Sequence, residues 1–232
     1  RYLSAHYLKQ RRLFDRNFDW KITGKWMFYS SLVGVLGAFA AVFFTNLVEL
    51  ISGGALLQLV GYAPPLPGNE ADPGAVFNLG NSLSLRAPWL LLIIPTVGGL
   101  VSGWLVLRFA PEAEGHGTDA VIKAYHQNQG EVRPRVAIIK TLASSITIGT
   151  GGSAGKEGPI AQIASAIGSW VGQRLDLPTS ERRMLLIAGV AAGIGSIFQS
   201  PLGGAFFAVE VMYREDIESD GIMPAMIAAI TG

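Results

Sequence analysis

Residues 149–159 read GTGGSAGKEGP. Five of these eleven residues are glycine, and the stretch closes on Lys156, Glu157, Gly158 and Pro159. Glycines at this density let backbone N–H groups come close to a ligand, most often an anion. A nucleotide-binding α/β domain and a bundle of helices with anion-binding N-termini both present such loops. A Walker loop requires G-x-x-x-x-G-K-[ST]. Aligned on Gly155-Lys156, the stretch puts Thr150 where the first glycine belongs and Glu157 where the hydroxyl belongs. A carboxylate there would repel triphosphate oxygens. Residues 149–154 fit the dinucleotide pattern G-x-G-x-x-A. No alternating strand–helix units surround them, and Asp176, the nearest downstream acid of interest, lies too far along. A membrane-associated nucleotide-binding enzyme is the weaker reading.

Composition favours the helical bundle. Of 232 residues, half are hydrophobic and 15% are charged, with 29 glycines and a mean hydropathy of +0.37. Soluble domains carry about 25% charged residues. Between Trp26 and Leu107 the only charges are Glu49, Glu70, Asp72 and Arg86. Residues 26–48 and 87–107 are uncharged runs of 23 and 21 residues, and about 20 apolar residues cross a bilayer. A third run, 184–209, is broken by Ser200-Pro201. The chain reads as a membrane protein. Cysteine is absent, which excludes a disulfide framework and a cysteine-ligated metal. A net charge of +1 leaves no nucleic-acid footprint.

Residues 1–25 carry seven Lys/Arg against Asp15 and Asp19. The positive-inside rule makes this segment cytoplasmic and sends the first span outward from Trp26. The turn-rich stretch 62–86 suits an external loop. The second span then returns to Arg108, and Lys123, Arg133, Arg135 and Lys140 count as inner-side charges. Beyond Arg108 the apolar segments 136–148, 160–175, 184–198 and 202–212 are short and interrupted by Gly or Pro. Such broken helices mark transport sites at the membrane midplane. Spacings of GxxxG at Gly99/Gly103, Gly168/Gly172 and Gly189/Gly193 suit close helix packing, although a glycine-rich chain also produces them by chance. Residues 222–232 are too few to span a bilayer, so the chain is expected to stop inside a longer protein.

Within that frame the glycine loop opens a helix. Pro159 suits a first turn because it has no N–H to waste, and Glu157 lies at the positive end of the helix dipole. Glu157 either caps the helix or acts as a gate, occupying the anion site until it is protonated or displaced. An ionisable residue in a membrane run favours the gate.

GKEGP at 155–159, with SPLGGAFFAVE at 200–210, resembles the CLC chloride channel and transporter family, over nearly the whole chain from about Trp26. The resemblance implies an all-α membrane protein of tilted, broken helices, assembled as a homodimer with one anion pathway per subunit. Each pathway is built from two inverted halves, and this chain corresponds to the first. Glu157 matches the family's gating glutamate, and Gly155, Lys156, Gly158 and Pro159 match its anion-binding loop. Chloride or a similar small anion is the implied cargo. No cofactor is implied, membrane lipid is the implied surroundings, and a prokaryotic inner membrane is the expected location.

Two positions depart from the family pattern. Its first anion motif, Gly-Ser-Gly-Ile-Pro, is met here by Gly115-His116-Gly117-Thr118-Asp119. Either His116 donates to the anion from a ring N–H, or its ring points aside and the Gly115 and Gly117 amides bind. Proton-coupled members carry an internal glutamate just after the position of Glu210, where this chain has Val211. Glu210 is then a structural acid or a substitute proton relay. The expectation is passive anion conduction of the voltage-gated chloride channel type, gated by Glu157, with a proton-coupled exchanger as the alternative. Residues 1–25 form the basic cytoplasmic segment and 26–232 the first-repeat membrane domain. A second anion motif would lie in a C-terminal half beyond Gly232.

Overall fold

A computed structural model describes residues 20–61, 89–213 and 219–232. Among them all regular structure is helical. Helix α1, Trp20–Ser52, continues as a π-helical segment, Gly53–Val60, that ends on left-handed Gly61 (φ 81°). It is followed by α2, Leu90–Phe109; α3, Thr118–His126; α4, Pro134–Gly149; and α5, Glu157–Arg174. Then come α6, Thr179–Phe198; α7, Pro201–Glu210; and α8, Ile222–Thr231. The external loop expected at 62–86 and residues 1–19 of the basic segment lie outside the described residues. Helix α1 is continuous across the 25/26 boundary.

Two stretches are long and apolar enough to cross a membrane, Gly24–Val60 and Leu90–Phe109. The first, at 37 residues, is ~55 Å long at ~1.5 Å per residue. That exceeds a hydrocarbon core of ~30 Å.

Helix α6 is the hub, packing on α5, α7, α8 and α1. Every residue from Leu185 to Gly195 is buried. The α5–α6 seam works because small residues on both helices let backbones touch. A Cβ added at Gly168 would strike the Leu185 carbonyl, and one at Gly189 the carbonyl of Ala164. One at Gly193 would meet the Ala164 side chain at 2.7 Å. Gly172 is close to Arg182 in the same way, with its Cγ at 3.0 Å. Two of the three GxxxG spacings are therefore true packing devices, both serving this seam. The third is not, since a Cβ at Gly99 or Gly103 meets nothing within 4 Å. Helix α2 instead touches α4 through Gly98, seated under Thr150, and Ser102, whose hydroxyl donates to the Ala143 carbonyl at 3.0 Å.

Ion pairs lie at the starts of α1, α6 and α4. Lys25 binds Glu181 at 2.6 Å, Arg182 binds Glu131 at 3.0 Å, and Arg133 pairs with Glu112. Lys123, Arg133 and Arg135, which the charge count expects on the inner side, are all exposed. Lys140 does not belong with them. It is 3% exposed and lies within the bundle rather than among the exposed charges.

Candidate functional site

Two loops, each leading into a helix, meet in the middle of the fold. The first leaves α2 through the 3-10 turn Pro111–Ala113 and enters α3 by way of Gly115 (φ 80°) and Gly117 (φ 117°). Both glycines hold left-handed backbone that a side chain would strain. The second loop leaves α4, turns at Gly151 (φ 96°) and enters α5 at Glu157. They touch glycine to glycine. A Cβ on Gly117 would run into the Gly158 carbonyl, and one on Gly158 would meet the His116 backbone and its ring Nδ1 at 2.5 Å.

This contact brings two helix N-termini together. The first helical bond of α3 runs from the Val121 N–H to the Gly117 carbonyl, and that of α5 from the Ile160 N–H to Lys156. Neither helix has a side-chain cap. The leading N–H groups, those of Thr118, Asp119 and Ala120 in α3 and of Glu157 and Gly158 in α5, therefore lack intrahelical acceptors. Pro159 sits in the first turn of α5 and is buried, as its missing N–H allows.

A cavity of about 630 Å³ lies beside the contact. Gly115, His116, Gly155 and Pro159 line it, together with Lys140 and the hydroxyl residues Ser102, Ser144, Thr147 and Ser153. Four of the sequence-selected anion residues thus share one compartment. Gly117 and Gly158 are buried in the contact itself, while Lys156 is half-buried at the N-cap of α5. His116 is exposed, and its Nδ1 shares a hydrogen bond with the Thr118 hydroxyl at 3.1 Å.

Lys140 is the residue that sequence reading passed over. Its Nζ donates to the carbonyls of Ala113 at 2.9 Å and Gly115 at 2.7 Å, so a buried cation holds the first loop in place. The signal was present: an ionisable residue inside the apolar stretch 136–148.

Glu157 is exposed and opens on a different, smaller cleft of about 280 Å³. Ile194, Phe198, Ser200, Gly203, Gly204 and Phe207 form its other walls. There the chain turns through left-handed Gln199 (φ 51°), and the Ser200 hydroxyl accepts from the Gly203 N–H to start α7. The GKEGP and SPLGG stretches, forty residues apart in sequence, therefore face one another across this cleft. Glu210 is not brought to the site. It closes the ten-residue helix α7 at the end away from Ser200, ~15 Å along at ~1.5 Å per residue. Beyond it, His126 Nε2 lies 2.7 Å from the Met212 carbonyl.

Residues 98–232, more than half of the chain, match the family described as voltage gated chloride channel. The chain belongs to that family. Both loops of the site fall inside the matched region. The chain is 28% identical, over 87% of its length, to a putative chloride channel protein ClcB-like of Ralstonia nicotianae. It is 27% identical, again over 87%, to the voltage-gated ClC-type chloride channel ClcB of Escherichia coli. It spans less than half of these curated relatives, 44% of each. Among solved structures it resembles a CLC-type fluoride/proton antiporter, with a TM-score of 0.68 and 22% identity over 90% of this chain and 45% of that one. A slow cyanobacterial Cl⁻/H⁺ antiporter gives 0.58 and 24%, over 89% and 44%. At these identities the likeness is one of fold: all-helical, and covering about half of each neighbour.

Proposed function

We propose that the chain forms the first half of an anion pathway in a membrane, with chloride or a similar small anion as cargo. The observation that carries this reading is the glycine-to-glycine meeting of the α3 and α5 N-termini at Gly117 and Gly158. Unpaired N–H groups and two positive dipole ends attract an anion there. Tight ion pairing would hold the ion too long for transport, whereas partial charges allow release. Lys140 adds a positive field from behind the first loop while its protons are spent on two carbonyls.

In this reading Glu157 is the protein's own anion. It sits at the first position of α5, where its carboxylate competes with the carried ion for the same positive end. Protonation removes that competition. Conduction is passive in the main reading. A proton-coupled exchanger is the second reading, supported by fold neighbours that are themselves antiporters; Val211, with no titratable group, argues for the first. No catalytic step and no cofactor is assigned. Residues 1–25 are placed as a cytoplasmic segment, 62–86 as an external loop, and the working unit as a homodimer in a prokaryotic inner membrane. A C-terminal half would complete the pathway.

Chloride efflux from liposomes holding the protein expressed in full from its gene tests this. Efflux well above that of protein-free liposomes is expected; background efflux would overturn the transport reading. Uphill proton movement driven by a chloride gradient would replace the channel reading by the exchanger.

A further inference from the structure

Two cavities meet at Glu114. The smaller, about 630 Å³, holds Gly115, His116, Gly155 and Pro159. The larger, about 740 Å³, lies among the charged residues at the end of the bundle where α3 stops and α4 starts. Among the described residues, Glu114 alone lines both. Any ion moving between the helix N-termini and the larger cavity by this route passes Glu114.

The backbone around Glu114 is pinned and the side chain is not. Lys140 holds the carbonyls of Ala113 and Gly115, one on each side of it. The Glu114 N–H donates to the Pro111 carbonyl at 3.1 Å, and the residue is extended (φ −63°, ψ 154°). Its carboxylate is exposed and has no hydrogen bond or ion pair among the described residues. Neighbouring carboxylates differ: Glu112 is held by Arg133, and Glu131 by Arg182 at 3.0 Å.

The other charged or titratable groups facing Glu114 are few. The larger cavity offers Glu112, Lys123, Glu131 and Arg133, and the smaller offers His116 and Lys140. Helix α5 contributes only the neutral amides Gln162 and Gln173 to the larger cavity. Arg133 is committed to Glu112. Lys140 bonds neutral carbonyls and keeps its charge behind the loop. Lys123 is the other cation in the larger cavity, yet neither it nor Lys140 makes an ion pair with Glu114. An ionised carboxylate at this junction repels an approaching anion.

We propose that Glu114 is a second carboxylate valve, which opposes the anion at the junction of the two cavities when ionised and admits it when protonated. The inference rests on the anion-transport reading. The proton is taken up from, and returned to, water in the larger cavity, and no covalent bond changes. Glu157 and Glu114 open on different compartments, so pH on the two faces of the membrane acts through different residues.

Chloride efflux from proteoliposomes, with pH varied on one face at a time, tests it. Glu114→Gln is expected to raise efflux at pH 7.5 on the order of fivefold, the effect of removing one nearby like charge. It also abolishes the pH response of one face and preserves that of the other. Glu157→Gln shows the converse, and the double variant loses both responses. Glu114→Asp, which keeps a titratable group, retains both and guards against a folding defect in the first variant. Efflux and both pH responses of Glu114→Gln equal to wild type would overturn the valve while leaving transport intact. Loss of both responses in Glu157→Gln alone would also overturn it. No efflux from the wild type would overturn the transport reading and the valve with it.

Discussion

Helices α2 and α6 are both twenty residues long and uncharged through their middles, yet the fold uses them in opposite ways. In α6 eleven consecutive residues are buried. In α2 only Gly98 and Ser102 are, and Leu92, Leu100, Trp104 and Leu107 point outward. The buried stretch of α6 is built largely from small residues, whereas α2 carries large ones. Ala188, Gly189, Ala191, Ala192, Gly193 and Gly195 give α6 a surface that neighbouring backbones can approach on several sides. Without a hydrophobic drive between helices in lipid, such close packing supplies the cohesion. The large side chains of α2 suit contact with lipid or another apolar surface. A hub and a peripheral helix can thus share an uncharged middle.

Glycine substitutions break this comparison most sharply. Gly189→Leu forces a side chain into the Ala164 carbonyl and is expected to cost ~3 kcal/mol or more, or to prevent folding. Gly99→Leu, with open space at its Cβ, should stay within ~0.5 kcal/mol of wild type. Thermal unfolding in detergent, with size-exclusion profiles, separates them; equal losses at both sites would remove α6 from its role as hub. Lys140→Met comes next. It withdraws a charged donor from the Ala113 and Gly115 carbonyls, and should lower stability by about 1.5–3 kcal/mol as well as reduce chloride efflux. Unchanged stability and efflux would mean the first loop holds itself. The smallest effect is expected for His116→Ser, a change in chloride/nitrate preference of a few-fold, ~1 kcal/mol or less. No change would leave anion contact to the glycine amides.

The same contrast explains what the sequence revealed. Helix positions were legible because Gly and Pro punctuate the apolar runs: 136–148, 160–175, 184–198 and 202–212 fall within a few residues of α4 to α7. That Gly115–Gly117 and Gly155–Pro159 belong together followed from the resemblance to a family, and the contact between Gly117 and Gly158 accounts for it physically. Which GxxxG spacing packs could not be read, since identical spacings in α2 and α6 differ only in what faces them. Lys140 reads only as one of the inner-side charges, because charge along a chain carries no depth. Its role depends on carbonyls at 113 and 115, more than twenty residues away, and only the fold brings them within reach. Glu157 and the carboxylate of Glu114 were likewise placed in separate compartments by the fold alone.

The central claim is that Glu157 competes with the carried anion at the positive end of α5. Chloride efflux from proteoliposomes across a range of external pH, compared between wild type and Glu157→Gln, tests it most directly. The account predicts that wild-type efflux rises as external pH falls, because protonation removes the competing charge, and that Glu157→Gln shows altered efflux with little external pH response. A variant whose efflux and external pH response match those of the wild type would contradict it.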